Sequence, residues 1–192
     1  MAAAVVDAAH DAGAVYAVAP HGWTNVAFPL AGGGLAVRGI GASTYRWMYA
    51  PAGCWCWRRS PGGVVVVAES AIDALAYVSL HEDVSAAVAT CGNAGLRQAP
   101  QIVRELLPDG GVVLLAQDAD DAGESQAVRL AEALTGGGIE TRRHRPPEGA
   151  KDWADVAAAM TSRNWMSSVG DTARAGSAAE QQGQMPLLSG GE

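Results

Sequence analysis

The chain has 192 residues, of which 49% are apolar and 6% aromatic, and a formal net charge of −7. That length accommodates one ordinary domain or one domain plus a small extension, and the negative average field excludes attraction to nucleic acid by bulk charge alone. The three cysteines, Cys54, Cys56 and Cys91, make no disulfide framework. No apolar run nears the roughly 20 residues that cross a bilayer, and Met1–Ala9 lacks a basic leader, so a cytoplasmic protein without membrane contact is expected.

In chain order, residues 2–12 read as an Ala-rich helix stopped at Gly13, and Val15–Val18 as a strand. Residues 25–30, 34–40 and 44–49 are short apolar or alternating runs, with a glycine turn at 32–34, and suggest a small antiparallel meander. After Ser60-Pro61-Gly62-Gly63 the pattern changes. The run 64–68 (VVVVA) is a strand buried on both faces, and 70–80 follows at helical spacing with Ser70 as its N-cap. Strands are expected at 84–89, 112–117 and 139–144. Helices are expected within 97–107, starting from Pro100, and at 122–135 and 152–160. The alternation predicts an α/β fold, a parallel four-stranded sheet flanked by helices, behind a small N-terminal α+β extension. Borders follow at 1–60, 61–165 and 166–192, the last a polar, small-residue tail expected to be disordered.

Ligands of parallel α/β sheets sit at the carboxyl ends of the strands. The first of these strands ends in Glu69, the second in Thr90-Cys91-Gly92-Asn93, and the third in Asp118-Ala119-Asp120-Asp121-Ala122-Gly123. Carboxylates gathered at one rim repel and raise one another's pKa. A hard cation held by one or two carboxylates, water and phosphate relieves this, so Mg2+, with Mn2+ an alternative, is the expected ion. Asp118 and Asp120 alternate and point to one side of an extended segment, and Gly123 allows the tight turn into the helix. Asp73, one turn into its helix, reads as a complement to the helix dipole.

Lys151 is the only lysine, beside 12 arginines; it is either a solvated loop residue or a phosphate contact near the ion. From Gly22 to Ala68 there is no acidic residue, while Arg38, Arg46, Arg58 and Arg59 interleave with Tyr45, Trp47, Tyr49, Trp55 and Trp57. That is the composition of a single-strand binding surface, or else of a small aromatic core edged by solvated arginines. Arg142, Arg143 and Arg145 form a second basic stretch. Trp153 reads as core, and Asp152 as the N-cap of the last helix. No zinc-ligand spacing, phosphate-binding G-K-[ST] loop or G-x-S-x-G elbow is present.

Glu69 closing VVVVAE and Asp118-Ala119-Asp120-Asp121-Ala122-Gly123, with Gly92 between them, resemble the motifs of Toprim domains. The resemblance is closest to the primase-like group of plasmids, phages and mobilisation regions, whose K-D-W-N-D stretch reads Lys151-Asp152-Trp153-Ala154-Asp155 here. Residues Gly13–Tyr16, Asn25–Pro29 and Arg38–Gly41 resemble the small domain that precedes Toprim in that group, DUF3991. The resemblance implies a Toprim-type sheet, Glu69 as general acid/base or metal ligand, and Asp118 and Asp120 as Mg2+ ligands. It also implies primase-like phosphoryl transfer on nucleic acid, single-stranded DNA above all, alongside other replication or mobilisation proteins. A nuclease using the same carboxylates and a non-catalytic binding module are the alternatives.

Overall fold

The computed structural model describes residues 1–19, 22–40 and 45–162; the tail expected from 166 onward lies outside them. A first helix, α1 (Ala3–Asp11), leads into β1 (Tyr16–Val18), β2 (Asn25–Pro29), β3 (Leu35–Gly39) and β4 (Arg46–Tyr49). These four strands form an antiparallel sheet in the order β1-β2-β3-β4, the expected meander. Alternation gives its two faces different work. Phe28 and Ala36 are buried in the core and Met48 packs on it, while Trp47 and Tyr49 stand exposed on the other face with their rings 6.4 Å apart.

The second sheet contains β5 (Trp55–Arg58), β6 (Val64–Ala68), β7 (Ala86–Ala89), β8 (Val112–Leu115) and β9 (Glu140–Arg143) in the order β5-β7-β6-β8-β9. Strands β6, β7, β8 and β9 run parallel, but β5 pairs antiparallel with β7, Trp55 opposite Ala89 and Arg58 opposite Ala86. The sheet is therefore mixed and five-stranded, which corrects the expected parallel sheet of four. The added strand was hidden because Trp55 and Trp57 alternate with Cys56 and Arg58 inside a stretch whose arginines and aromatics suggested a binding surface. Both tryptophans are buried, as the alternative of a small aromatic core expects of them, and the Trp55 indole N–H donates to the Ala14 carbonyl at 2.7 Å.

The crossovers are α2 (Ala71–Leu80), α3 (Asn93–Leu106) and α4 (Asp121–Thr135), and a last helix, α5, covers residues 153–162. Strand β6 shows why an unbroken valine run suits this position. Val66 and Ala68 pack among α2, Trp153 and the meander, while Val65 and Val67 pack among α3 and α4. Residues 1–157 form one compact unit; of the second, only 158–162 are described, continuing α5.

Helix α3 starts seven residues earlier than its proline suggests, with Pro100 inside it. The glycines of Cys91–Gly95 concealed this start. A Cβ on Gly95 would lie 1.8 Å from the Thr90 carbonyl oxygen and 2.9 Å from that of Gly53. The residue is glycine because the first turn presses against backbone on both sides. Helix α5 is tied to α2 by an aromatic cluster in which the Trp153 ring lies 4.6 Å from Tyr77, 5.4 Å from His81 and 5.0 Å from His144.

Candidate functional site

A cleft of about 450 Å³ opens at the carboxyl end of the parallel strands, lined by Glu69, Asp73, Asp118, Lys151 and Asp152, with Arg38 and Arg46 entering from the meander. Each strand ending supplies one part. Glu69 follows β6 and is half-buried, and burial followed by repulsion from Asp118 raises its pKa. Its Oε2 accepts from the Gln126 side chain at 3.4 Å, and Gln126 Oε1 in turn accepts from the Thr90 hydroxyl at 3.4 Å. Gln126 and Thr90 thus orient Glu69. The sequence placed Thr90 at a strand end without a role, and nothing near Gln126 marked it, since the three residues meet only in space.

Asp118 follows β8 and is buried. Burial, and then the Asp152 charge, raise its pKa against the pull of Lys151, whose Nζ is 3.6 Å from Asp118 Oδ2. The same carboxylate lifts the pKa of the exposed Lys151 ammonium. Asp120 is placed differently. It is the N-cap of α4, its Oδ1 accepting from the Gly123 amide at 2.9 Å, and its charge reaches Glu69 as repulsion. A Cβ on Gly123 would lie 2.3 Å from the Asp118 carbonyl oxygen, so the glycine permits the close turn expected of it. Gly92, at φ 107°, caps α3 and contributes to the cleft wall.

Asp73 does more than complement a helix dipole. Its carboxylate accepts from the Ser70 hydroxyl and, at 3.1 Å, from the Ala154 amide, joining α2 to the start of α5. Burial lifts its pKa to about 6. Asp152 caps α5 through the Asp155 amide at 2.8 Å, as its sequence position suggests.

The arginines divide. Arg38 and Arg46 line the cleft. Arg58 donates to the Glu105 carbonyl at 3.2 Å, and Arg59 to those of Glu82 and Val84 at 2.9 and 3.3 Å. Arg142 and Arg145 pair with Glu140 and Glu124 at 2.7 and 3.2 Å. Arg143 is turned into the protein, where its guanidinium is taken up by backbone carbonyls and Glu124. The second basic stretch is thus largely engaged within the fold. The three cysteines are free thiols.

The donor set of this cleft is carboxylate oxygen, which suits Mg2+ or Mn2+ rather than a softer ion. Among the described residues no three His, Cys, Asp or Glu side chains stand together as a ready-made cage. Mg2+ is commonly held by one or two carboxylates, with water and substrate phosphates completing its shell, and Glu69 and Asp118 fit that pattern.

The Toprim-like family matches residues 66–157, the stretch from β6 into α5 that carries all four acidic residues of the cleft, and this stretch is similar to that family. Among solved structures, the chain is similar to a DNA primase domain from Pseudomonas aeruginosa, with 22% identity and a TM-score of 0.52 over 80% of this chain and 55% of that one. It is also similar to the primase fragment of the bacteriophage T7 primase-helicase protein, with 17% identity and a TM-score of 0.59 over 84% and 68% of the two chains. A third likeness, at 16% identity and a TM-score of 0.53 over 84% of each chain, is to a complex of T7 lagging-strand DNA polymerase with primase domains bound to an RNA/DNA hybrid and dTTP. At these identities the likeness is one of fold. The chain spans about half the length of the Pseudomonas domain, 55%. Comparison with curated proteins gives no match.

Proposed function

We propose that the chain is a Mg2+-dependent nucleotidyl-transfer module acting on nucleic acid, primase-like in its chemistry, and that it serves DNA replication or mobilisation of a plasmid or phage. The observation that carries this reading is one cleft in which Glu69 and Asp118 face Lys151, Arg38 and Arg46. Carboxylates supply a metal site and cations supply a phosphate site within a few side-chain lengths. The primase fold of the neighbours, one of them in a complex with an RNA/DNA hybrid and dTTP, supports it.

Glu69 and Asp118 would hold the ion, Asp120 joining through the oxygen not used in its cap. When bound, Mg2+ (or Mn2+) supplies Lewis-acid stabilisation of charge developing on the phosphoryl oxygens. The chain's own residues do the rest. Lys151, a point charge beside Asp118, positions a phosphate. Glu69, through the carboxylate oxygen that is not on the ion, would take the proton from the attacking hydroxyl as the hydroxyl oxygen bonds to phosphorus and pyrophosphate leaves. Arg38 and Arg46 hold the strand backbone. Bases of single-stranded DNA would stack on exposed Trp47 and Tyr49, which share strand β4 with Arg46 but face the other way. In this reading the first 60 residues act as a DUF3991-like partner that lends strand β5 to the sheet of the Toprim-like stretch, and other replication or mobilisation proteins complete the machinery.

The test is incubation with Mg2+ or Mn2+, single-stranded DNA and labelled nucleoside triphosphates. Extended products are expected, lowered roughly a hundredfold or more in Glu69→Gln, as loss of a proton-transfer group predicts. Shortened DNA would instead identify a nuclease. Binding without either product, unchanged by Glu69→Gln, would make the chain a non-catalytic binding module.

A further inference from the structure

Strand β8 pairs with β6 and β9 only as far as Leu115. The segment beyond it, which carries Asp118 and Asp120, has left both ladders, and Ala116 and Ala119 are held by single backbone bonds to Val67 and Lys151, each 2.8 Å. Arg143, the last residue of β9, fills the gap. Its Nη1 donates to the carbonyls of Leu115 and His144 at 2.8 and 3.0 Å. Its Nη2 donates to those of Gln117 and Asp118, both at 3.0 Å, and to Glu124 Oε1 at 2.6 Å, while Nε faces Glu124 Oε2 at 3.4 Å. Glu124 lies in the first turn of α4, the helix that Asp120 caps, and the cation holds its carboxyl below the usual range.

We infer that Arg143 is a positioning residue, its guanidinium standing in for a missing strand and fixing the backbone that presents Asp118 to the metal. The inference rests on the reading of the cleft as a metal site. Six acceptors surround the five N–H groups that an arginine offers, so none remains for a phosphate, and the side chain is 23% exposed. Lysine could not substitute, because its donors radiate from one nitrogen and cannot span carbonyls on two strands and a carboxylate at once. The interaction acts on the ligand's backbone, and supporting contacts of this kind typically set metal affinity by tenfold or more.

The test uses the whole chain, stripped of metal and titrated with Mn2+ by electron paramagnetic resonance, with hydrogen exchange followed across residues 116–124. In Arg143→Lys, secondary structure and cooperative unfolding are retained, the Mn2+ dissociation constant rises roughly tenfold or more, and exchange quickens in 116–124 but not in β6 or β7. Glu124→Gln, which leaves the guanidinium in place, shifts the constant the same way by a smaller factor. Arg129→Lys, an exposed change elsewhere on α4, shifts neither readout. Wild-type affinity in Arg143→Lys overturns the inference alone. So does an unfolded Arg143→Lys together with unchanged affinity in Glu124→Gln, which would make the arginine a prop of the fold. A wild-type chain that binds no Mn2+ overturns the metal-site reading and this inference with it.

Discussion

Asp73 is a carboxylate held where its charge is costly. Burial moves its pKa from 3.8 to about 6, so the folded chain holds this proton more tightly than the unfolded chain. Its contribution to stability is complete below about pH 4 and is lost as pH rises through about 6. The loss is at most about 3 kcal/mol, two pKa units at 1.36 kcal/mol each. Asparagine at this position can still accept from the Ala154 amide but does not ionise. The stability of Asp73→Asn relative to wild type should therefore improve between pH 4 and 6.5 and level off above, in urea unfolding with chelator present. Parallel curves would refute the burial account. The motif residues Glu69 and Asp118 could be picked from the sequence because each ends a β-branched strand. Gln126 and the roles of Asp73 and Arg143 could not, because their partners lie elsewhere: just after β6, at the start of α5 and past the end of β8.

Helix and strand identity were legible wherever one period dominated. The valines of β6, the apolar stripe of α4 and the glycines at 136–138 placed those elements within a residue or two of where they lie. The failures occurred where local chemistry conflicts with tertiary need. Strand β5 looks like a surface because its alternating partners include an arginine, and its pairing with β7 is invisible to local periodicity. Helix α3 carries glycine at 95 in its first turn, a poor helix former by about 1 kcal/mol relative to alanine. Gly95→Ala therefore sets two effects against each other. The intrinsic helix gain is about 1 kcal/mol, but the new Cβ would meet backbone at 1.8 Å and 2.9 Å, which only displacement of α3 or β7 relieves. Clashes of that kind cost about 1–3 kcal/mol, so a net loss of up to about 2 kcal/mol is expected in denaturant unfolding. A gain would show that α3 is free to move.

For the molecule as a whole, charge sets the terms of any encounter with nucleic acid. The chain carries −7 overall, yet the acid-free stretch from Gly22 to Ala68 delivers Arg38 and Arg46 to the cleft beside Lys151. Three phosphate contacts imply that the logarithm of affinity for single-stranded DNA falls with the logarithm of salt at a slope of about −2. Arg46→Gln should reduce that slope by about 0.7, as read from fluorescence anisotropy at several salt concentrations. A slope unaffected by this change would place the DNA elsewhere on the surface.

The rim strand contributed by Trp55–Arg58 has a consequence for where the module truly begins. The family pattern is recognisable only from residue 66, yet β7 is flanked on one side by a segment ending eight residues earlier, and that segment is anchored through Trp55 to the turn after α1. A polypeptide trimmed to the recognisable stretch would bare the hydrogen-bonding groups along β7, a template for adding foreign strands. Here the stretch that can be recognised is shorter than the sheet it belongs to, and recombination that moved only the former would transmit an unfinished sheet.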